Sequence, residues 1–394
     1  MKDYTLFSCP NDKCKMHEQT GQNNIAHHSW MGKYKNIERL RCRCCGQKFS
    51  ENRDSLRERA KLSEATQVQM LKCFRWGVPD AGIAEICEVN EKSVQLFRKK
   101  ASKLAQLHHE RAVQKVQATG IQVDEIRVQQ GKSITWAAVA IVMQTYLILA
   151  MTWGKRDQSL ADCLLAEIWG RCSQLTLLLS DGWKSYYSAL MRCFGRLYRP
   201  RRQSGGRLLA HLIKIDTRAL FYGQVIKQTR DRFYLCAVKC RAKLGSLREC
   251  CLFIRAYGLG KKIHTSHIER WFGTLRCCVA SLRRKSRCYG KNPTIMGEKI
   301  WLHILFHNWV IPHASLSQGE TPAMAADLMK VPLTYKQLIR MNCRGCKEIR
   351  DKIKDQVKRM GSPEVHKAYR RSRHPKGEEE VIWREPSKEL QVAA

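Results

Sequence analysis

Between residues 63 and 104 the apolar side chains recur every three or four positions, the period of a helix face. Ser63 stands where it can cap a helix running through Met70, Leu71 and Phe74. Gly77-Val78-Pro79-Asp80 interrupts that pattern. Ala81 to Val89 then predicts a short second helix with Ile83, Ile86 and Val89 on its inner face. Asn90 caps a third, in which Val94, Phe97, Ala101 and Leu104 form one stripe. Lys92, Gln95, Arg98, Lys99 and Lys103 lie off the stripe. Three such helices predict a helix-turn-helix region over 51–118, whose third helix offers its polar face to a DNA major groove. A helical linker with a solvated basic face would carry the same pattern.

After Gly120 the period shortens. Ile121 to Val128 reads as a strand with Asp124 and Glu125 in its middle. Ile134 to Met143 and Thr145 to Trp153 follow as strands, Asp157 to Cys172 as an amphipathic helix, and Leu175 to Asp181 as a buried strand ending in an acid. Trp183 to Cys193 reads as helix. Tyr222 to Lys227 and Phe233 to Val238 predict a hairpin joined around Thr229-Arg230-Asp231. Strand, strand, strand, helix, strand, helix resembles the opening of a ribonuclease-H-like α/β fold.

Charge sharpens this picture. The 394 residues carry 71 Lys and Arg against 35 Asp and Glu, a net charge of +36, and the excess runs along most of the chain. Such a field suits a polyanion, and phosphate neutralisation supplies most non-specific nucleic-acid affinity. An anionic membrane surface or a ribosomal scaffold would also suit it. No stretch reaches the roughly 18 uncharged apolar residues of a membrane-spanning helix. The opening Met1-Lys2-Asp3-Tyr4-Thr5-Leu6-Phe7 lacks the apolar core of a secretion signal. The expectation is a cytoplasmic, nucleoid-associated protein with no membrane partner. Its 19 cysteines then read as reduced thiols, some of them metal ligands. The domain expectation is 1–50, 51–118, a core over 119–330 with an insertion at about 194–262, and a charged tail over 331–394.

The first fifty residues hold Cys9-Pro10-Asn11-Asp12-Lys13-Cys14 and Cys42-Arg43-Cys44-Cys45-Gly46. Thiolates prefer zinc, and structural zinc takes four ligands. Cys9, Cys14, Cys42 and Cys45 supply them from two turns, which predicts a zinc ribbon in a segment too short to bury much core. Cys44, His17, His27 or His28 can replace one of the four. Cys343-Arg344-Gly345-Cys346 lacks a partner pair and reads as plain thiols.

The acids of the middle zone sit where apolar runs dominate. A carboxylate in or beside a core strand is costly unless paired or bound to a cation. Asp124 and Asp181 on neighbouring strands can share divalent metals, with Glu269 completing the set from a helix that follows Gly260-Lys261-Lys262. Oxygen donors of this kind select Mg²⁺ or Mn²⁺, and a pair of such ions serves in-line phosphoryl displacement. Adjacent strand residues face opposite ways, so one of Asp124 and Glu125 enters the site. Arg201 and Arg202, with Arg196, Arg199 and Arg207 around Gly205-Gly206, read as DNA contacts or as a solvated loop. Arg283 and Arg284, with Lys285 and Arg287, add cations beyond the Glu269 helix.

These segments together resemble the DDE transposases of bacterial insertion sequences, in particular the insertion-sequence-one type. The resemblance runs over nearly the whole chain to about residue 330. It is carried by Ile263-His-Thr-Ser-His-Ile-Glu269-Arg-Trp-Phe-Gly-Thr-Leu-Arg276, by Tyr222 to Lys227, by Pro312 to Leu316, by Thr321 to Ala326 and by the Cys-rich start. His264, Trp271, Phe272 and Gly273 depart from the family's habit of Asn and Asn-Leu-Thr-like residues at those places. The resemblance implies that Asp124, rather than Glu125, joins Asp181 and Glu269 as the catalytic, metal-binding triad. Arg276, seven residues on from Glu269, matches a Lys or Arg usual there. It further implies double-stranded DNA partners (the element's terminal repeats and a target), cleavage followed by strand transfer, and a homo-oligomer. A non-catalytic repressor descended from such an enzyme is the alternative.

Overall fold

The computed structural model describes residues 4, 7–17, 19, 21–32, 36–130, 133–200, 210–215, 219–230, 234–283, 292–342, 346–372 and 380–384. Arg201, Arg202, Arg207, Arg284, Lys285, Arg287 and Cys343 lie outside them. The chain divides into two compact units, Met1–His108 with Leu333–Gly345, and His109–Pro332 with Cys346–Ala394.

In the first unit, β1 (Ile25–Met31), β2 (Ile37–Cys42) and β3 (Lys48–Ser50) form an antiparallel sheet in that order. Its core is small: Ile25, Leu40 and Phe49 packed with Cys9, Cys14 and Cys42. Three helices follow, α1 (Glu64–Arg75), α2 (Asp80–Ile86) and α3 (Glu91–Ala112). Ser63 caps α1 as expected, its hydroxyl accepting the Thr66 N–H at 3.0 Å. Met70, Leu71, Phe74, Ile83, Val94, Phe97, Ala101 and Leu104 are buried, and the Phe74 and Phe97 rings stack.

Two side chains depart from the pattern. Ile86 is exposed rather than inward. Arg98, expected on the groove-facing side, is only 3% exposed and its guanidinium pairs with Asp80. The reason is the width of the buried face. Ser102 and Ala105 are buried beside Ala101 and Leu104, so the row Arg98, Ser102, Ala105 flanks the apolar stripe and turns inward. Asp80, in the first turn of α2, supplies the countercharge that a buried guanidinium requires. Helix Tyr335–Arg340 belongs to this unit, with Arg340 donating twice to Glu64 Oε2.

The second unit is a mixed α/β layer structure. Strands β4 (Val116–Gln130), β5 (Ser133–Val142) and β6 (Ile148–Gly154) run as an antiparallel meander. Helix α4 (Gln158–Arg171) leads into β7 (Cys172–Asp181), which lies parallel to β4. Helix α5 (Lys184–Phe194) and a small ribbon of β8 (Arg196–Tyr198) and β9 (Leu212–Lys214) come next. Then β10 (Phe221–Arg230) joins parallel to β7, and β11 (Tyr234–Leu244) folds back antiparallel on β10 in the expected hairpin. The edge strand β12 (Glu380–Arg384) completes a seven-stranded sheet ordered β12-β11-β10-β7-β4-β5-β6. Part of the stretch expected as an insertion, 194–262, is therefore sheet. Parallel pairing of β10 with β7 is a long-range choice that local pattern does not encode.

One face of the sheet carries α6 (Leu247–Ala256), α7 (Ser266–Cys278) and α8 (Pro293–Trp309). Ile126, Val128, Val139, Ile141 and Ile148 pack there against Ile268, Phe272, Leu275, Ile300 and Ile304. Leu177, Leu179, Val225 and Cys240 pack against Cys250 and Ile254 of α6. Helices α4 and α5 cover the other side.

The charged stretch beyond 330, expected as a tail, is folded over much of its length. Helices Lys347–Met360 and Pro363–Arg371 bury Ile349, Ile353, Met360, Val365 and Tyr369. Gln356 donates to the Cys193 carbonyl at 2.7 Å, Arg359 to the Gly195 carbonyl at 2.9 Å, and Arg192 to the Met360 carbonyl at 3.1 Å. A Cβ on Gly170 would meet Ile353 at 2.7 Å, so that glycine is what lets the helix approach α4. Among the described residues no helix is long and apolar enough to cross a membrane.

Candidate active site

The register of β4 on β7 pairs Val123 with Ser180, so the next residue on each strand is an acid, Asp124 and Asp181. Side chains alternate along a strand. Gln122, Asp124 and Ile126 therefore face α7, while Glu125 faces α5. A cleft of about 910 Å³ opens there, lined by Asp124, Asp181, Glu269 and Arg276 together with Arg156, Trp183, Lys227, Thr265 and Phe272. All four expected catalytic residues thus border one cleft.

They do not form one equivalent set. Asp124, Glu125 and Asp181 each bring a carboxylate oxygen within 4.8 Å of the others, close enough to share a cation. Glu269 lies outside that group. Its Oε1 accepts from Lys227 Nζ at 2.7 Å and from the Thr265 hydroxyl at 2.6 Å. Glu125 takes the buried Tyr186 hydroxyl on Oε2 at 2.9 Å and the Arg156 guanidinium on Oε1. That guanidinium sits between the indoles of Trp136 and Trp183, 5.1 and 5.0 Å from their centres, and reaches to 3.6 Å from Asp181. Arg156 is therefore a fixed cation, held by an acid and two aromatic faces.

Main-chain donors orient the acids. The Glu125 N–H donates to Asp124 Oδ1 at 2.8 Å, and the Trp183 N–H donates to Asp181 Oδ1 at 3.0 Å. Burial pushes the Asp124 carboxyl up to about 7, helped by the negative charges of Glu125, Asp181 and Glu269. Burial raises Asp181 as well, against the Trp183 N–H and the charges of Arg156 and Lys227. Burial also raises Glu125, with Asp181 adding to it and Arg156 and Tyr186 opposing. Carboxylates crowded until one resists ionisation are what a divalent cation relieves, and an all-oxygen donor set fits a hard one.

Glu269 is placed by β4 itself. Thr265 occupies the cap position of α7, but its side chain makes no capping bond and turns to Glu269 instead. The vacant capping role falls to Gln122, fully buried on β4. Its Oε1 accepts the N–H groups of His267 at 2.9 Å and Ile268 at 3.1 Å, and its Nε2 donates to the His264 carbonyl at 3.0 Å. Trp271 and Phe272, two of the residues that depart from the transposase pattern, are core residues with Ile268 and Leu275. His264 is tied to the Leu259 carbonyl at 2.7 Å.

In the first unit Cys9, Cys14, Cys42 and Cys45 bring their sulfurs within 4.8 Å of one another, a group able to hold a metal ion. The second turn is closed by the Gly46 N–H on the Cys42 carbonyl, with Gly46 at a positive φ of 73°. The Cys9 and Cys45 sulfurs are 3.4 Å apart. Burial pushes the Cys9 thiol well up. The Gln47 N–H, followed by Cys9, Asn11 and Cys14, draws Cys45 down to about 6. Thiols crowded in this way, one of them readily ionised, fit a thiophilic tetrahedral cation. Cys44 and the histidines stand outside the group, and His27 bonds Glu38 instead.

Of the expected DNA contacts, Gln95, Lys99 and Lys103 are exposed on α3, and Arg98 is not. Arg283 is exposed and donates to the Arg276 and Cys277 carbonyls. Sequence reasoning missed Gln122, Arg156, Lys227 and Thr265. The four-residue step from Thr265 to Glu269 is a helix-face signal that was present in the chain. Lys227 closes a segment that carries the resemblance, but its place beside Glu269 follows from strand pairing, and Arg156 is brought in by tertiary approach alone. Compared with known proteins, the chain matches no protein-family model and no curated protein.

Proposed function

We propose that the protein is a DDE-type transposase, a metal-dependent enzyme that cleaves phosphodiesters at the ends of a mobile element and joins them to target DNA. The carrying observation is the convergence of Asp124, Asp181, Glu269 and Arg276 on one cleft, where β7 ends beside the middle of β4. The strand sequence β6-β5-β4-β7-β10, a meander followed by two parallel additions, supports a ribonuclease-H-like core. The net charge of +36 supports a nucleic-acid partner.

Divalent Mg²⁺ or Mn²⁺ held by Asp124, Asp181 and Glu269 would supply Lewis acidity to the attacking and leaving oxygens. The chain's own groups do the rest. Gln122 and Thr265 hold Glu269 toward the cleft. Arg156, anchored by Glu125, limits repulsion among the acids while DNA is absent. Arg276 and Lys227 attract the phosphodiester and set its line of approach. The nucleophile is first water, leaving a 3′-hydroxyl, and then that hydroxyl on target DNA. The four-cysteine group would hold a structural Zn²⁺. The helices of the first unit would read terminal repeats through Gln95, Lys99 and Lys103. Two element ends acting together call for a homo-oligomer, working in the cytoplasm at the nucleoid.

The test is Mg²⁺-dependent nicking of labelled duplex taken from the DNA flanking the reading frame, beside a gel shift on the same duplex. Asp124→Asn, Asp181→Asn and Glu269→Gln should each abolish nicking and leave binding intact. Glu125→Gln should be milder, because its carboxylate holds Arg156 and does not line the cleft. An Asp181→Asn protein that cuts normally overturns the triad. A native protein that binds and never cuts, with Mg²⁺ or Mn²⁺, is a DNA-binding repressor instead.

A further inference from the structure

Of the three acids lining the cleft, Glu269 stands apart from the other two, and a lysine ammonium neutralises it. Lys227 and Thr265 converge on the same oxygen, Oε1, and Glu269 stands outside the group formed by Asp124, Glu125 and Asp181. Lys227 comes from β10. Val225 pairs with Asp181, so Lys227 follows two residues on and projects on the same face, at the mouth of the cleft. The Lys227 and Glu269 side chains are 48% and 41% exposed, so solvent and ligand reach both.

The two cations beside Asp181 differ in kind. Arg156 is clamped by Glu125 and two indoles. Lys227 rests on a half-exposed ion pair, an interaction worth little in water. An ammonium on a flexible stem turns easily from one anion to another, and phosphate oxygens are natural partners for it. While Lys227 sits on Glu269, a divalent cation meets a carboxylate already neutralised and a positive charge beside it. Both effects weaken the third ligand.

Resting on the reading of this cleft as a divalent-cation site, we infer that Lys227 is a phosphate-operated latch: it withholds Glu269 from the metal until a DNA phosphodiester draws the ammonium away. Metal and DNA then bind cooperatively, each raising the other's affinity by one common factor. Lys227 is a positioning residue toward the metal and a contact toward the phosphodiester. Without DNA the acids would hold a divalent ion weakly, which limits untargeted cleavage.

The test is Mn²⁺ binding to the full chain with its cysteine site loaded with zinc, read by electron paramagnetic resonance. It is made with and without a short duplex, with the signal of duplex alone subtracted. Without DNA, Lys227→Met should bind Mn²⁺ about ten-fold more tightly than the native chain. Duplex should tighten the native chain about ten-fold and Lys227→Met less than about two-fold. Lys227→Arg should keep the native pattern. Adding Glu269→Gln to Lys227→Met should erase the gain, which ties it to that carboxylate. Unchanged or weaker Mn²⁺ binding by Lys227→Met, or native binding indifferent to duplex, overturns the latch. Nicking separates this from the enzymatic reading. Coupling in a protein that never nicks keeps the latch and removes the transposase, whereas nicking without coupling removes the latch alone.

Discussion

The Gln122 side-chain amide donates at 3.0 Å to the main-chain carbonyl of His264, a residue 142 positions further along the chain. Its oxygen meanwhile takes the first free N–H groups of α7. The strand that bears Asp124 thereby fixes the start of the helix that bears Glu269.

Gln122→Met keeps the volume and loses every bond. It leaves helix N–H groups buried and unsatisfied, at a cost of about 1–3 kcal/mol in chemical unfolding. If α7 shifts, kcat for element-end nicking should fall while KM for DNA stays put. Gln122→Glu keeps the acceptor, with a charge favoured at a helix N-terminus, and should recover part of the loss. Equal stability for Gln122→Met and the native chain would remove the capping role.

Asp124 sets a pH dependence. Its carboxyl is held at about 7 against an ordinary 3.8, so the folded chain binds that proton more tightly than the unfolded chain. The metal-free protein therefore loses stability from this group as pH rises from about 4 to 7, and above 7 the whole cost is present. Asp124→Asn removes the titration. Without divalent metal the variant should be the more stable protein above pH 7, and the gap should close as pH falls toward 4. Thermal melts across that range measure it. A gap that widens on acidification would contradict the crowding of these acids.

Metal analysis of the full chain should return about one zinc, bound through Cys9, Cys14, Cys42 and Cys45. The core of the β1–β3 sheet is small, Ile25, Leu40 and Phe49 with three of those thiols, so a strong chelator should unfold it and abolish sequence-specific DNA binding. Cys42→Ser should do the same, and Cys44→Ser should not. Full structure and binding after complete metal removal would make the four cysteines simple core residues.

Arg98 and Lys99 are neighbours with opposite fates. Arg98→Ala strands the Asp80 carboxylate in a buried pair, which should cost about 3–5 kcal/mol of stability in the first unit. Lys99→Ala should leave the melting temperature alone. It should weaken DNA binding and lower the salt slope by about 1 if it meets a phosphate. A stable Arg98→Ala protein with lost DNA affinity would return Arg98 to the interface.

The parts of the fold that local period controls were legible. The three helices of the first unit, the β4–β6 meander and the α4-β7-α5 run follow from apolar spacing, and Asp181 stood out as an acid closing an apolar strand. The acids of the cleft were nameable because carboxylates are rare among such runs. What escaped was set by partners distant in sequence. Nothing near Phe221 announces that it pairs beside Leu177, and nothing near Gln122 announces a helix 142 residues away. Arg98 misled because a stripe drawn from apolar residues alone is narrower than the face the helix buries. Ile349, Ile353, Gln356 and Met360 keep helical spacing, but the charges around them drew attention to composition instead.

The interleaving of the two units has a consequence during synthesis. Leu333–Gly345 belongs to the unit that begins the chain, and Lys347–Met360 braces the unit in the middle. Neither unit is whole until the ribosome has passed these segments. A product that stops near residue 330 would emerge with Glu64 lacking Arg340 and with the Cys193 carbonyl lacking Gln356. Such a fragment would be a substrate for proteases more than a competitor for DNA. A nonsense codon that far downstream should therefore remove the protein from the cell, even though every residue of the cleft has already been translated.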